Sequence, residues 1–178
     1  MNTMTKRRVN VKFPAERNYM YFEAVEATTY TFTKNSDTTG DLYYSTDKIN
    51  WTQFSSGIAT ESFSIGSKVY IKGDISASVF NGSGPGYFSS TGKFNAGGNI
   101  MSMFNFGELK KYACTRLFSS CSIVDASDLE LPAMTLANNC YESMFYDCAN
   151  LIAAPALPAT ELAYGCYYAM FDACTSLT

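Results

Sequence analysis

Leu131-Pro132-Ala133-Met134-Thr135-Leu136-Ala137-Asn138-Asn139-Cys140 returns 26 residues later as Leu157-Pro158-Ala159-Thr160-Glu161-Leu162-Ala163-Tyr164-Gly165-Cys166, with six of the ten positions identical. The match continues. Cys140-Tyr141-Glu142-Ser143-Met144-Phe145-Tyr146-Asp147-Cys148 aligns with Cys166-Tyr167-Tyr168-Ala169-Met170-Phe171-Asp172-Ala173-Cys174. A degenerate earlier copy, Leu117-Phe118-Ser119-Ser120-Cys121, stands 27 residues before Met144 to Cys148. Self-similarity at a fixed spacing marks a repeat architecture, and a period near 26 is too short for a pair of helices. It predicts one short strand per copy, Leu151 to Leu157, and one compact helical or 3₁₀ return around Cys140 to Phe145. Pro158 ends the strand because it has no N–H to give to a ladder. Leu151, Leu157, Leu162, Met144 and Phe145 are expected to face inward, where stacked copies bury what one copy cannot.

Upstream the pattern changes. Val9 to Phe13, Tyr19 to Ala24, Thr29 to Thr33, Asp41 to Ser45, Asn50 to Phe54, Glu61 to Ile65 and Lys68 to Lys72 alternate apolar and polar residues. Such period-two runs, rich in Thr, Tyr, Phe and Val, predict half-buried strands separated by turns such as Asn35 to Gly40. The fold class expected is mainly β: a small antiparallel β-sandwich followed by a short repeat solenoid. The organisation expected is an attachment segment over 1–17, the sandwich over 18–76, a glycine-rich connector and cap over 77–110, and repeats over 111–178. In the connector, Gly82, Gly84 and Gly86 alternate with Ser83 and Pro85, and no Lys-Ser/Thr follows to open a helix. That is a loop and not a phosphate cradle.

The repeat resembles a known family. Met144-Phe145-Tyr146-Asp147-Cys148-Ala149-Asn150-Leu151, then Leu157-Pro158-Ala159-Thr160-Glu161-Leu162, is similar to the BspA-like (Treponema-type) leucine-rich repeats of gut and oral bacteria and of the phages that infect them. A weaker resemblance, on Leu42 to Asp47, Asn50-Trp51-Thr52, Lys68 to Gly73 and Gly98 to Ser102, points to the small β-domain that precedes such repeats. The resemblance implies a leucine-rich-repeat solenoid, surface exposure and adhesion. It carries over no ligand-contacting residue. The sequence stops at Thr178, just after Cys174-Thr175-Ser176-Leu177, with no polar capping unit, so the expectation is the beginning of a longer protein.

Charge and chemistry narrow the function. Residues 111–178 carry two basic residues against seven acidic ones, giving −5, while residues 1–110 carry 11 against 9, giving +2. An acidic segment does not track phosphates, so no nucleic-acid partner is expected for the repeats. No apolar stretch is long enough for a membrane span. With no His, no Ser-His or Cys-His nucleophile pair can form. Asp125, Asp128 and Glu130 leave open a carboxylate pair for glycoside chemistry or, with Asn138 and Asn139, a calcium site. However, no EF-hand spacing is present, and acids in a polar loop are ordinarily a solvated face. No catalytic residue, metal site or cofactor is expected.

Cys121, Cys148 and Cys174 share one repeat position, and Cys140 and Cys166 another. With Phe145 and Phe171 they predict a ladder of buried side chains; a Cys140–Cys148 disulfide is the alternative. Tyrosine pairs a large rigid face with a polar tip. Tyr146 and Tyr168 differ between copies and, with Tyr164, are the ligand-binding candidates, whereas Tyr141 and Tyr167 recur and pack between copies. Without a leader in sight, the reading is a non-enzymatic adhesion protein on a virion surface, a phage fibre or decoration protein. Lys6, Arg7 and Arg8 would lie near its joint to capsid or tail proteins. The repeats would meet a host-surface glycan or protein, and the fibre would be a homo-oligomer. The alternatives are a bacterial cell-surface adhesin, whose leader has been removed, and a purely structural virion assembly protein.

Overall fold

The computed structural model describes residues 18–76, 82–105 and 107–178. The expected strand Val9 to Phe13 and the attachment residues Lys6, Arg7 and Arg8 lie outside the described residues. The protein is mainly β. Among the described residues eight strands form: β1 (Met20–Ala24), β2 (Tyr30–Lys34), β3 (Leu42–Ser45), β4 (Thr52–Gln53), β5 (Lys68–Gly73), β6 (Gly86–Ser90), β7 (Phe94–Asn99) and β8 (Asp128–Glu130). A short 3₁₀ turn, Ile100–Met103, is opened by the Asn99 side chain, which accepts from Met101 N–H.

Alternation dictates the core. In β1, Met20, Phe22 and Ala24 are buried while Tyr21 and Glu23 face outward. A six-stranded sheet runs β4-β3-β5-β1-β7-β8, and a two-stranded sheet pairs β2 with β6. The sheets meet through Phe22, whose ring lies within 4.7–5.0 Å of Tyr30, Phe88 and Phe94. The larger sheet is mixed and not wholly antiparallel, because β7 pairs with β8 in parallel. Glu61 to Ile65 gives only a bridge, Phe63 to Thr28. The glycine-rich stretch read as a connector supplies β6 and β7, which complete both sheets.

Beyond residue 110 the local structure differs from the expected strand plus helix. No helix forms among residues 111–178. Three ten-residue runs of consecutive turns, at 111–120, 138–147 and 164–173, take its place; they are called here ribbons 1, 2 and 3. In each, every fourth residue has a positive φ of 50–62°: Tyr112, Arg116 and Ser120; Asn139, Ser143 and Asp147; Gly165, Ala169 and Ala173. Alternate N–H groups close turns on the carbonyl three residues back, as from Cys114 to Leu117 N–H. The intervening N–H groups point along the stack. Tyr112, Cys114, Arg116, Phe118 and Ser120 donate to Asn138, Cys140, Glu142, Met144 and Tyr146 of ribbon 2 at 2.8–3.2 Å. Asn139, Tyr141, Ser143, Phe145 and Asp147 donate in the same way to Tyr164, Cys166, Tyr168, Met170 and Asp172 of ribbon 3 at 2.8–3.0 Å. A left-handed residue costs about 1–2 kcal/mol. The inter-ribbon bonds, each worth roughly 1 kcal/mol net, offset that cost only when neighbours are present.

The expected strand Leu151 to Leu157 is reduced to one parallel bridge, Ala153 to Asp125. Leu151, Met144 and Phe145 are buried as expected, but Leu157 is 43 % and Leu162 66 % exposed. Their counterparts one copy earlier, Leu131 and Leu136, are 2 % and 6 % exposed. The same residue type is buried where a further copy lies against it and exposed where none does among the described residues.

Candidate functional site

A ladder of side chains forms the frame of the site. Phe118, Phe145 and Phe171 stack at 5.4 and 5.6 Å with interplanar angles of 22° and 11°. Cys148 Sγ donates to the Phe118 carbonyl at 2.9 Å, and Cys174 Sγ to the Phe145 carbonyl at 3.0 Å. The recurring Tyr141 and Tyr167 stack at 5.8 Å and 7°. The six cysteines are free. Burial pushes the Cys140 and Cys148 thiols up to about 12, and Cys121 well above the ordinary range. Such thiols are neutral, poor nucleophiles and poor metal ligands.

The ladder extends one step further than the repeat. Phe88 of β6 stacks on Phe118 at 5.7 Å and 18°. Its N–H donates to the Leu117 carbonyl at 2.8 Å, the place that ribbon 1's Phe118 N–H takes on Met144. Its carbonyl accepts Cys121 Sγ at 2.9 Å. β6 thus fills the position of a ribbon before the first. Gly84 permits the close approach, since a Cβ there would lie 2.6 Å from the Thr115 carbonyl oxygen.

The four-residue phase of the ribbons sets out a grid of positions just before each left-handed residue. It reads Lys111, Thr115, Ser119; Asn138, Glu142, Tyr146; Tyr164, Tyr168, Asp172. The three candidate tyrosines all fall on this grid. Tyr164 and Tyr168 occupy adjacent positions of ribbon 3 and are 82 % and 69 % exposed, and Tyr146 of ribbon 2 is exposed as well. No contact draws the three rings together.

The carboxylates disperse. Asp125 Oδ1 accepts Ser127 N–H at 2.8 Å, Asp128 Oδ2 accepts the Tyr21 hydroxyl at 3.3 Å, and Glu130 Oε1 accepts Asn18 Nδ2 at 2.6 Å. Asn139 Nδ2 donates to Glu142 Oε2 at 2.7 Å. Among the described residues no group of three acids, histidines or cysteines is placed to hold a metal, and no helix is long and apolar enough to cross a membrane. A cavity of about 230 Å³ lies beside Phe32, Leu42 and Phe54. Its Lys34 Nζ donates to Asp41 Oδ1 at 3.0 Å and to the Gly40 carbonyl at 2.8 Å.

One surface escaped the sequence reading. Tyr21 of β1 and Tyr70 of β5 stand at outward positions, with Tyr19 just before β1 and Trp51 just before β4. Tyr19 and Trp51 rings lie 5.0 Å apart. Lys48, Lys68 and Lys72 ammonium groups sit 4.2, 4.4 and 4.1 Å from the Tyr70, Tyr21 and Trp51 centroids. The available signal was aromatic residues at the outward phase of alternating strands. No family model, curated protein or solved structure matches this chain.

Proposed function

We propose that this chain is a non-enzymatic surface-binding protein, a virion fibre or decoration protein whose repeats recognise a host-surface glycan or protein. The ribbons are then coils of a leucine-rich-repeat solenoid of the kind the sequence resembles, with a turn ribbon as the return element. The observation that carries the reading is the tyrosine-bearing grid. Exposed Tyr146, Tyr164 and Tyr168 stand on a backbone held by ten inter-ribbon hydrogen bonds, so their Cα positions are fixed before a ligand arrives. A rigid aromatic surface loses little entropy on binding. Capsid or tail proteins would be met through the N-terminal part, and the protein would assemble as a homo-oligomer. A bacterial cell surface is the alternative setting, and a purely structural assembly role the alternative function.

The test is a glycan array and a host-cell adhesion assay with the full chain and with Tyr146→Ser, Tyr164→Ser and Tyr168→Ser combined. The expected result is binding by the parent and loss of at least about tenfold in affinity in the variant, because truncated aromatic anchors commonly carry much of an interface's energy. Absence of binding to any host surface by the parent contradicts adhesion and leaves the structural role.

A further inference from the structure

The outward face of the larger sheet is divided in charge. Register sets Tyr70, Tyr21, Gly97 and Asp128 in one row across β5, β1, β7 and β8. A Cβ at Gly97 would lie 2.4 Å from the Tyr21 ring, so the glycine lets that ring lean across it and the hydroxyl reach Asp128. On the β5 side stand the lysines: Lys48 over Tyr70, Lys68 over Tyr21 and Lys72 over Trp51, each ammonium 4.1–4.4 Å from its ring centroid. A ring face holds an ammonium without cancelling its charge, as a carboxylate would. Lys68 is paired as well with Glu23 at 3.3 Å. On the β8 side stand the carboxylates of Asp128 and Glu130, the latter accepting Asn18 Nδ2 at 2.6 Å.

The lysine side is held in place. Trp51 Nε1–H donates to the Lys48 carbonyl at 3.1 Å, and Lys48 N–H to Ser45 Oγ at 2.9 Å. Outside the ribbons, Lys48 is the one residue other than glycine with a positive φ, 61°, among the described residues. A turn ordinarily gives that conformation to glycine or asparagine, so strain on a long cationic side chain points to a role for the side chain. Burial draws the Lys72 pKa down, because its ammonium has given up part of its hydration.

We propose that this face binds an acidic oligosaccharide, with its carboxylate on Lys48 and Lys72 and its hydroxyl groups donating to Asp128 and Glu130. The two halves select it together. From β5 to β8 is three strand spacings, about 14 Å, longer than a single sugar ring. A glycan carries hydroxyls on every unit and a carboxylate on some, which suits a face with cations at one side and acceptors at the other. Single-stranded nucleic acid and acidic peptide carry a charge on every unit, and would set some of them against Asp128 and Glu130. Successive bases also stack on exposed ring faces. Here Tyr19 meets Trp51 at 64°, Tyr21 meets Tyr70 at 63°, and ammonium groups lie on three of the four rings. The site goes beyond the proposed function of the repeats: it uses none of the ribbon tyrosines, and it stands or falls separately from adhesion through them.

The chain's single tryptophan, Trp51, lies in the site, so its fluorescence reads occupancy there and not on the ribbons. The full chain is titrated at physiological salt with trigalacturonate and with sialyllactose. The expected result is a saturable change with at least one of them, and binding at least about tenfold weaker to the neutral counterpart, the methyl ester or lactose. Lys48→Gln and Lys72→Gln are each expected to weaken binding about tenfold, as for the loss of one charge-assisted hydrogen bond, while Lys48→Arg retains it. Lys48 is exposed, so its two variants keep the test decisive should Lys72→Gln fail to fold. No response to either acidic sugar overturns the proposal. So does an equal response to the neutral sugars, or a Lys48→Gln variant that binds as the parent does. Tighter binding of oligothymidylate or polyglutamate assigns the face to those polymers and overturns it too. A Trp51 change on raising the protein concentration alone assigns it to a second copy, with the same consequence.

Discussion

The β-sheet region and the ribbons solve one problem in opposite ways. In the sheets, side chains alternate and neighbouring strands differ: Phe22 meets Tyr30, Phe88 and Phe94 at angles of 45°, 89° and 57°. In the ribbons like meets like, and Phe118, Phe145 and Phe171 lie almost parallel. Among the residues other than glycine in the eight strands, none has a positive φ. The ribbon backbone accepts a left-handed residue every four positions and recovers the cost from bonds to its neighbours. One region is stable through diverse packing, the other through repetition. Phe88 belongs to both, and Phe22 reaches the ladder through Phe118 at 5.9 Å.

If the shared ladder makes the two regions one cooperative unit, Phe118→Ala breaks it. The expected loss is about 3–5 kcal/mol, as for other large-to-small core changes. The single Trp51, far from the substitution in sequence, should report the same lowered denaturation midpoint as the far-ultraviolet signal. A Trp51 transition unmoved by the substitution would separate the regions and end the comparison in its present form.

The difference in backbone strain is sharpened by Ala169→Gly. At φ 50° glycine is unstrained, and the variant is expected to gain about 0.5–1 kcal/mol after its larger unfolded-state entropy is counted. The same change in the extended backbone, Ala24→Gly, is expected to cost about 0.5–1 kcal/mol. Thermal unfolding of both variants measures the contrast.

The thiols distinguish the regions by pH. All six cysteines lie at or beyond residue 114, and Cys140 and Cys148 titrate near 12 in the fold against an ordinary value of 9. A raised folded value means that the neutral thiol is favoured. The stabilisation is complete below about pH 9 and is lost as pH rises towards 12. Ribbon amides should lose hydrogen-exchange protection in that window. Below it, alkylation at pH 8 should modify half-buried Cys174 before the other five.

The smallest effect is expected at Asp47. Its carboxylate accepts Ile49 N–H, Asn50 N–H, Asn50 Nδ2 and the Ser45 hydroxyl at 2.7–2.9 Å, which holds it well below the usual carboxylate range. Asp47→Asn should loosen the β3–β4 turn, seen as faster amide exchange at Ile49 and Asn50, and leave the ribbons unchanged.

Much of the ladder was legible. Identical residues at 26-residue spacing named Phe145, Phe171 and the cysteines, because stacking in register is what makes repetition visible. Phe118 was readable in the degenerate copy. Phe88 was not, since β6 is a strand and shares no sequence period with the ribbons. The return element was misread as a short helix. Positions 112, 116, 143 and 169 hold Tyr, Arg, Ser and Ala, none of which announces a left-handed conformation. Leu157 and Leu162 read as core because their counterparts are core; their exposure depends on what lies beside them. Tyr146 and Tyr168 were readable as positions that differ between copies, but the phase on the grid that they share with Tyr164 required the ribbon geometry.

By itself the sequence determined the β-rich class, the strands from Met20 to Gly73 and the spacing that brings like residues together. These depend on alternation and repetition, which are local or self-referential. Tertiary structure alone decided that the returns are turn ribbons, that β6 serves as their first rung, and that ribbons 1 and 2 each give an N–H row to the carbonyls of the next ribbon. Each of those rests on hydrogen bonds between residues roughly 25–33 positions apart, and a backbone conformation unfavourable in isolation exists only where such partners are in place.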